Sequence, residues 1–355
     1  MKLIHGGDWA GFQQEYGGLP LDFSANVSPL GLPDGVRRAI IEALPGADRY
    51  PDPLCRALRD KLAVVHGLSP DGILCGNGAA DLIFRLVLAE KPRRALVTAP
   101  AFAEYEQALT AGGCETERFL LKEEDGFAVT EALLENITPE LDILFLCEPN
   151  NPTGRTTDRA LLQRILEKCR ECGVLLALDE CFNEFLDEPE AHTLKGELLR
   201  FPNLIIFKAF TKWYAMAGVR LGYVLCGNRA LLERMAACGQ PWSVSSLAQA
   251  AGCAALDEED YSAALRKLVQ TERPRLRQAL TDLGCRVLPG EANYLLFYHE
   301  DHGLVEKLRK KGILLRSCAN YPGLGPGWYR TAVKGEGDNN VLVQRLREIL
   351  SGEEA

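Results

Sequence analysis

The feature that most constrains the fold of this chain is an alternation. Short apolar runs, ALVTA at 95–99, LDILFLC at 141–147, GVLLALD at 173–179, NLIIF at 203–207 and LGYVLC at 221–226, are separated by amphipathic stretches such as ALLQRILEKCREC at 160–172 and RALLERMAAC at 229–238. A run that is apolar at nearly every position, rather than at every second one, predicts a strand covered on both faces. Strands of that kind spaced by helical segments predict βαβ crossovers, and so an α/β fold on a mostly parallel sheet. Beyond about residue 255 the texture changes to a long charged helix candidate at 261–284, followed by the shorter strands ANYLLFY and GILLRSC. That change predicts a large domain over 46–255 and a smaller α+β domain over 256–355. Proline and glycine cluster before residue 53, so residues 1–45 are expected to form an extended arm, serving the small domain and the active site, rather than a folded unit.

Composition narrows the function classes. With 355 residues, 47% hydrophobic and 25% charged, the chain can bury a sizeable core, and disordered or collagen-like structure is excluded. The 40 basic against 49 acidic residues give a formal charge of -9, which argues against binding nucleic acid or an anionic membrane through net charge, though not against a local basic pocket. No apolar run approaches the roughly 18 residues of a membrane span, and the start, MKLIHGG, lacks the apolar region of a signal peptide, so the expected location is the cytoplasm. The twelve cysteines sit mostly in apolar contexts and read as reduced core thiols. Cys169 and Cys172 form one close pair on a helical stretch, with no second pair or histidine at ligand spacing, so no metal site is expected.

Open parallel sheets hold ligands at the carboxyl ends of their strands, and five elements of the sequence fall at such ends or in the loops facing them. The turn Cys75-Gly-Asn-Gly-Ala-Ala-Asp81 leads from a strand into a helix and offers bare backbone amides at a helix N-terminus, a combination that holds a phosphate, although such turns also serve purely structural ends. Glu148-Pro-Asn-Asn-Pro-Thr-Gly154 follows LDILFLC and either ends the strand or presents an amide to a ring hydroxyl. Asp179 ends GVLLALD and is expected to be partly buried, where a carboxylate needs a cationic partner. Lys212 lies among aromatic and short apolar residues in TKWYAMAGVRLGY, eight positions before Arg220; desolvation there makes a Schiff-base nucleophile, whereas a surface lysine is the plainer reading. Arg316 and Arg330 flank a turn-rich loop and either clamp anions or form ordinary surface pairs.

Taken in order, a phosphate turn, Asn151, Asp179, Lys212 and Arg220 match what a pyridoxal-phosphate site requires: amides for the phosphate, an amide for the phenolic oxygen, a carboxylate for the pyridinium nitrogen and a lysine for the aldehyde. With these residues, and with separations of 28, 33 and 8 positions between the last four, the sequence resembles the fold-type I pyridoxal-phosphate enzymes of the aminotransferase class I/II family over nearly its whole length. Within that family it resembles the branch of histidinol-phosphate aminotransferases and threonine-phosphate decarboxylases. The opening His5-Gly6-Gly7, LDFSANVSPLGLP at 21–33, Arg49-Tyr50-Pro51, DECFNEF at 179–185 and above all RSCANYPGL at 316–324 resemble the decarboxylases.

The resemblance implies a pyridoxal 5'-phosphate cofactor and a role for each residue. Lys212 is expected to form the Schiff base and move protons at the α-carbon, Asp179 to keep the pyridine nitrogen protonated, and Asn151 to bond the ring oxygen. The backbone of Gly78 and Ala79, with Arg220, is expected to hold the cofactor phosphate, and Tyr105 to stack on the ring. Tyr50 is expected to reach the cofactor phosphate of a neighbouring subunit, which implies a homodimer. Arg330 is expected to grip the substrate α-carboxylate with help from Asn26, while His5, Gly6 and Arg316 meet a substrate phosphate. Two positions depart from the family pattern. Ala209 stands where relatives carry a hydroxyl three residues before the lysine, so one phosphate contact is either missing or supplied by Thr211 or Lys208. The turn also reads Gly78-Ala79-Ala80, which leaves mainly backbone donors. The resemblance implies decarboxylation of O-phospho-L-threonine to (R)-1-amino-2-propanol phosphate, a step of cobalamin biosynthesis. The alternative is an aminotransferase acting on histidinol phosphate or a related amino acid with 2-oxoglutarate. Which bond at the α-carbon stands perpendicular to the cofactor ring decides between them, and a sequence does not fix that angle.

Overall fold

The computed structural model describes residues 5–352. Strand β1 (Leu21–Asp22) is a two-residue stub in the N-terminal segment. The next seven strands, β2 (Ile73–Gly76), β3 (Arg94–Ala99), β4 (Glu115–Leu120), β5 (Ile143–Cys147), β6 (Leu175–Asp179), β7 (Leu204–Ala209) and β8 (Gly222–Cys226), form one sheet in the order β2-β8-β7-β6-β5-β3-β4. All run parallel except β8, which is antiparallel to both β2 and β7. The link Phe210–Leu221 is helical only over Phe210–Trp213 and turns the chain back beside β7, where a parallel return takes a full crossover helix.

Alternate side chains of the central strands enter two separate cores, one on each face of the sheet, because the strand period is two. Leu144, Leu146, Leu176, Leu178, Leu204 and Ile206 join one core. Ile143, Phe145, Ala177, Ile205 and Phe207 join the other. Helices such as Arg159–Cys172 and Ala79–Glu90 cover the faces, so the strands read as unbroken apolar runs. The two cysteines of the CxxC pair sit in the first of these helices, and burial pushes the Cys169 thiol up to about 12, which suits packing rather than reactivity.

The C-terminal part adds β9 (Arg286–Val287), β10 (Tyr294–Tyr298), β11 (Ile313–Leu314), β12 (Arg316–Ser317) and β13 (Trp328–Ala332). Four of them make an antiparallel sheet in the order β12-β13-β10-β9, while β11 pairs in parallel with β1. The helix Glu259–Asp282 spans both regions: Leu265 and Val269 pack in the large-sheet core, and Leu276 and Leu280 in the small one. The boundary expected at residue 256 therefore falls at the start of a helix shared by the two regions.

The N-terminal segment is not the extended arm its prolines and glycines suggest. It holds two helices, Trp9–Tyr16 and Asp34–Ala43. The first is capped by Asp8, whose carboxylate accepts from the Gly11 amide, and ends in a left-handed Gly17. Phe23 is buried in the small core, its amide donates to Leu314 O at 2.9 Å, and its carbonyl accepts from Ala332 N at 2.9 Å. Local glycine and proline content thus marked where these helices begin and end, not the absence of structure.

Candidate active site

The parallel strands deliver their chemistry at one edge, where each chain segment leaves its strand. Asp179 is the last residue of β6, Asn151 lies just beyond β5, and Lys212 sits in the short helix that follows β7. Together with residues of the N-terminal segment, β12 and β13, they line a cavity of about 250 Å³. It brings together His5, Gly6, Asn26, Ala79, Asn151, Asp179, Thr211, Lys212, Arg220, Arg316 and Arg330 from the sequence expectation.

The turn at 75–81 leads from β2 into a helix, as its sequence predicts. Gly78 adopts φ +86°, a backbone conformation that favours glycine, and precedes the helix Ala79–Glu90. A Cβ at Gly78 would lie 2.7 Å from Arg220 Nη2, so any side chain there would close the space between the turn and the guanidinium. Arg220 itself holds φ +62°, and its Nη1 donates to Ala217 O at 3.1 Å. A non-glycine residue in that region costs about 1–3 kcal/mol and is held there by its surroundings. Thr211 lines the cavity beside this cradle. Lys208 does not: it is buried on β7 itself, where Nζ pairs with Glu180 at 3.1 Å and Glu184 at 3.0 Å. Of the two substitutes open for the hydroxyl absent at Ala209, only Thr211 faces the site.

Lys212 is desolvated at the floor of the cavity. Burial, reinforced by the nearby Arg330 guanidinium, moves its ammonium below the ordinary lysine value, and Nζ lies 5.8 Å from the centre of the Phe182 ring. Nζ has no hydrogen bond or ion pair among the described residues, so its donors are unengaged. Asp179 is buried; Oδ1 accepts from the Cys181 amide at 2.9 Å and Oδ2 from the Tyr105 hydroxyl. Tyr105 therefore departs from its expected position over a cofactor ring: its own ring stacks on Phe145 with centroids 5.1 Å apart, and its hydroxyl serves Asp179. The buried carboxylate draws the Tyr105 hydroxyl to itself, which the spacing of PAFAEY did not reveal.

The opposite wall is cationic. Arg330, buried on β13, donates through Nη1 to Asn151 Oδ1 and through Nη2 to Ser24 O at 3.0 Å, while its Nε has no partner. Both amide atoms of the buried Asn26 also lack partners. Unmet polar groups of this kind lining one cavity are what a bound polar ligand satisfies. Arg316 donates to Asn320 Oδ1 at 2.9 Å and stands over the Tyr321 ring. A Cβ on Gly6 would meet Ser24 O at 2.4 Å, so the backbone at residue 6 can pass this close to Ser24 only with glycine there. His5 Nε2 lies 3.1 Å from Glu104 Oε1.

Glu104 is the site residue the sequence reading missed. An acidic residue in the first turn of a helix, here Ala103–Ala111, reads as ordinary complement to the helix dipole. Only the fold shows it turned into the cavity. Tyr50 lies elsewhere, 79% exposed and stacked on Trp242 at 4.4 Å, away from the cavity of its own chain. Among the described residues no group of three or more His, Cys, Asp or Glu side chains could hold a metal ion.

A mostly parallel sheet with a desolvated lysine, a buried carboxylate and a glycine cradle at one edge defines an α/β enzyme of pyridoxal-phosphate fold type I. The sequence model of the aminotransferase class I and II family matches residues 20–346, and the chain belongs to that family, so its cofactor is pyridoxal 5'-phosphate. The chain is 43% identical over 335 residues to a threonine-phosphate decarboxylase of Salmonella typhimurium, covering 94% of this chain and 92% of that protein. Among solved structures it is similar to a histidinol-phosphate aminotransferase of Clostridium acetobutylicum, with a TM-score of 0.88, 28% identity and coverage of 93% and 99%. It is likewise similar to an L-threonine-O-3-phosphate decarboxylase of Porphyromonas gingivalis, with a TM-score of 0.82, 26% identity and the same coverage. The residues present fit the cofactor: a cradle that a Cβ would fill, a carboxylate for the ring nitrogen, and a desolvated amine.

Proposed function

We propose that this chain decarboxylates O-phospho-L-threonine to (R)-1-amino-2-propanol phosphate. The observation that carries the choice of reaction is the 43% identity, over 94% of the chain, with the Salmonella typhimurium threonine-phosphate decarboxylase. The geometry fits a substrate anionic at both ends: Arg330 and the unpartnered Asn26 amide line one part of the cavity, His5 and Arg316 another.

Pyridoxal phosphate, when bound, supplies an aldehyde for the substrate amine and a sink for the electrons released at the α-carbon. The chain does the rest. The amides at Gly78 and Ala79, with Arg220 and Thr211, hold the cofactor phosphate at a helix N-terminus, where the backbone dipole favours an anion. Asp179 keeps a proton on the ring nitrogen, and Asn151 bonds the ring oxygen. Lys212, with its pKa lowered, gives up a proton more readily than an exposed lysine and is the donor and acceptor at the α-carbon. Arg330 and Asn26 orient the α-carboxylate, and Gly6, His5 and Arg316 hold the phosphate.

Two chains share each site in this reading, with Tyr50 reaching the partner's cofactor phosphate. Its exposure and its stacking on Trp242 support a surface covered by a second copy. The enzyme acts in the cytoplasm; no helix among the described residues is long and apolar enough to cross a membrane.

The test mixes the cofactor-loaded protein with O-phospho-L-threonine and follows released CO2, with histidinol phosphate and 2-oxoglutarate run in parallel and glutamate assayed. CO2 in step with substrate loss and no glutamate is the expected result. Glutamate without CO2 overturns the decarboxylase and leaves the aminotransferase. The shared site is tested separately: Tyr50→Ala and Lys212→Ala chains, each inactive alone, regain activity when co-expressed, because one mixed site then holds both native residues.

A further inference from the structure

Glu104 has a buried, partly unmet carboxylate inside a cavity otherwise lined with cations. Its side chain is 14% exposed, Oε1 faces His5 Nε2 at 3.1 Å, and Oε2 is buried with no hydrogen-bond partner. Among the cavity-lining residues the only other carboxylate is Asp179, which is occupied by Tyr105 and the Cys181 amide. An ionised Glu104 would repel the anionic end of any substrate held by Arg316 and His5. A protonated one has a hydroxyl to give.

We propose that Glu104 is a specificity residue that enters the complex as a neutral carboxyl and donates a hydrogen bond to a third oxygen of the substrate's terminal phosphate, beside Arg316 and His5. This rests on the phosphorylated-substrate reading above and deepens it. A tetrahedral phosphate has enough oxygens to satisfy a guanidinium, an imidazole and a carboxyl together. A planar carboxylate held bidentately by the guanidinium keeps only in-plane lone pairs on the same two oxygens, which lack the tetrahedral spread that meets a guanidinium, an imidazole and a carboxyl at once. The site thereby favours amines ending in a phosphate monoester over those ending in a carboxylate.

The electrostatics agree. Burial is the main cause that raises the Glu104 carboxyl to about 7, with Asp179 acting in the same direction and its own backbone amide, Lys212 and Arg316 opposing. His5 is pushed below its ordinary value, first by burial, then by Arg316, Arg330 and Lys212. Arg220 also lines the cavity. The pair therefore holds its single proton on Glu104 in slightly acid solution. A phosphate monoester is a dianion well above its second pKa of about 6, so binding at pH 8 draws one proton from solvent onto Glu104.

The probe is O-phosphoethanolamine, an amine with a phosphate terminus and no carboxylate to lose, compared with 4-aminobutanoate, whose terminus is planar. Binding to the cofactor-loaded protein is measured by calorimetry from pH 6 to 8 in two buffers of different ionisation heat. The wild type is expected to take up close to one proton at pH 8, its affinity for O-phosphoethanolamine falling about fivefold between pH 7 and 8. Glu104→Gln keeps a donor but nothing to titrate, so proton uptake disappears and binding at pH 8 is about tenfold tighter than in the wild type. Glu104→Ala loses about tenfold in affinity for O-phosphoethanolamine at pH 6 and leaves 4-aminobutanoate within about twofold. An unchanged visible spectrum of the bound cofactor shows that the variants are folded. A wild-type pH profile in Glu104→Gln, or equal weakening of both probes by Glu104→Ala, overturns the inference and leaves Glu104 as a prop for His5. Failure of the wild type to bind O-phosphoethanolamine at any pH overturns the phosphorylated-substrate reading itself, and the inference falls with it.

Discussion

The two ends of the cavity are built by different means. Asp179 ends β6, and Asn151 and Lys212 follow β5 and β7, its neighbours in one sheet, so backbone hydrogen bonds and two buried cores fix their separations. His5, Glu104 and Arg316 come from the N-terminal segment, a helix of the large region and an edge strand of the small sheet; they line one cavity, where His5 and Glu104 meet through their side chains. The first end is buried and rigid. At the second, His5 is 45% exposed. A chemical step needs fixed angles at the α-carbon, whereas recognition of a charged tail tolerates movement, so the construction of each end suits the task proposed for it.

Substitutions can break this contrast. The largest effect is expected at the rigid end: Lys212→Ala should lower turnover by at least about 10³-fold and abolish the visible absorbance that bleaches with borohydride. A dialysed Lys212→Ala protein that keeps this absorbance would remove the lysine from its role. Next comes Arg330→Ala, which leaves the Asn151 oxygen and the Ser24 carbonyl unpaired in a buried site. Loss of a desolvated clamp is worth about 2–5 kcal/mol and should appear mainly in KM for the amino acid; an unchanged KM would detach Arg330 from the carboxylate.

At the assembled end, Arg316→Ala should cost about 1.5–3 kcal/mol in binding of phosphorylated ligands without altering the cofactor spectrum. A changed spectrum would mean that the two ends are not independent. The smallest effect concerns the frame behind the chemistry. His66 bonds the Tyr223 hydroxyl at 2.9 Å, and burial lowers its pKa to about 4. The unfolded chain, with an ordinary histidine value near 6.5, binds more protons between pH 6.5 and 4, so stability should fall as pH drops through that window, by roughly 1–2 kcal/mol. His66→Gln should flatten this part of a denaturation profile; an unflattened profile would assign the acid sensitivity to other groups.

The sequence by itself determined the α/β class and where the central strands of the large sheet lie. A short apolar run set between amphipathic helical stretches reads as a strand covered on both faces, and a polar residue at its end, Asp179, or just beyond it, Asn151, then stands at the sheet edge. What it did not contain was direction in space. The antiparallel return of β8 depends on a short link, the helices before residue 45 on caps hidden among prolines and glycines, and the turning of Lys208 away from the cavity on strand alternation beside an ion pair. Tyr105 took its place from the need of a buried carboxylate for a donor. Glu104 looked like any acidic residue at the start of a helix, and became part of the site only because residues nearly a hundred positions upstream and two hundred downstream closed around it. Local periodicity is a property of neighbouring residues and can be read along the chain. The meeting of His5, Glu104 and Arg316 is a property of packing, and only the tertiary structure decides it.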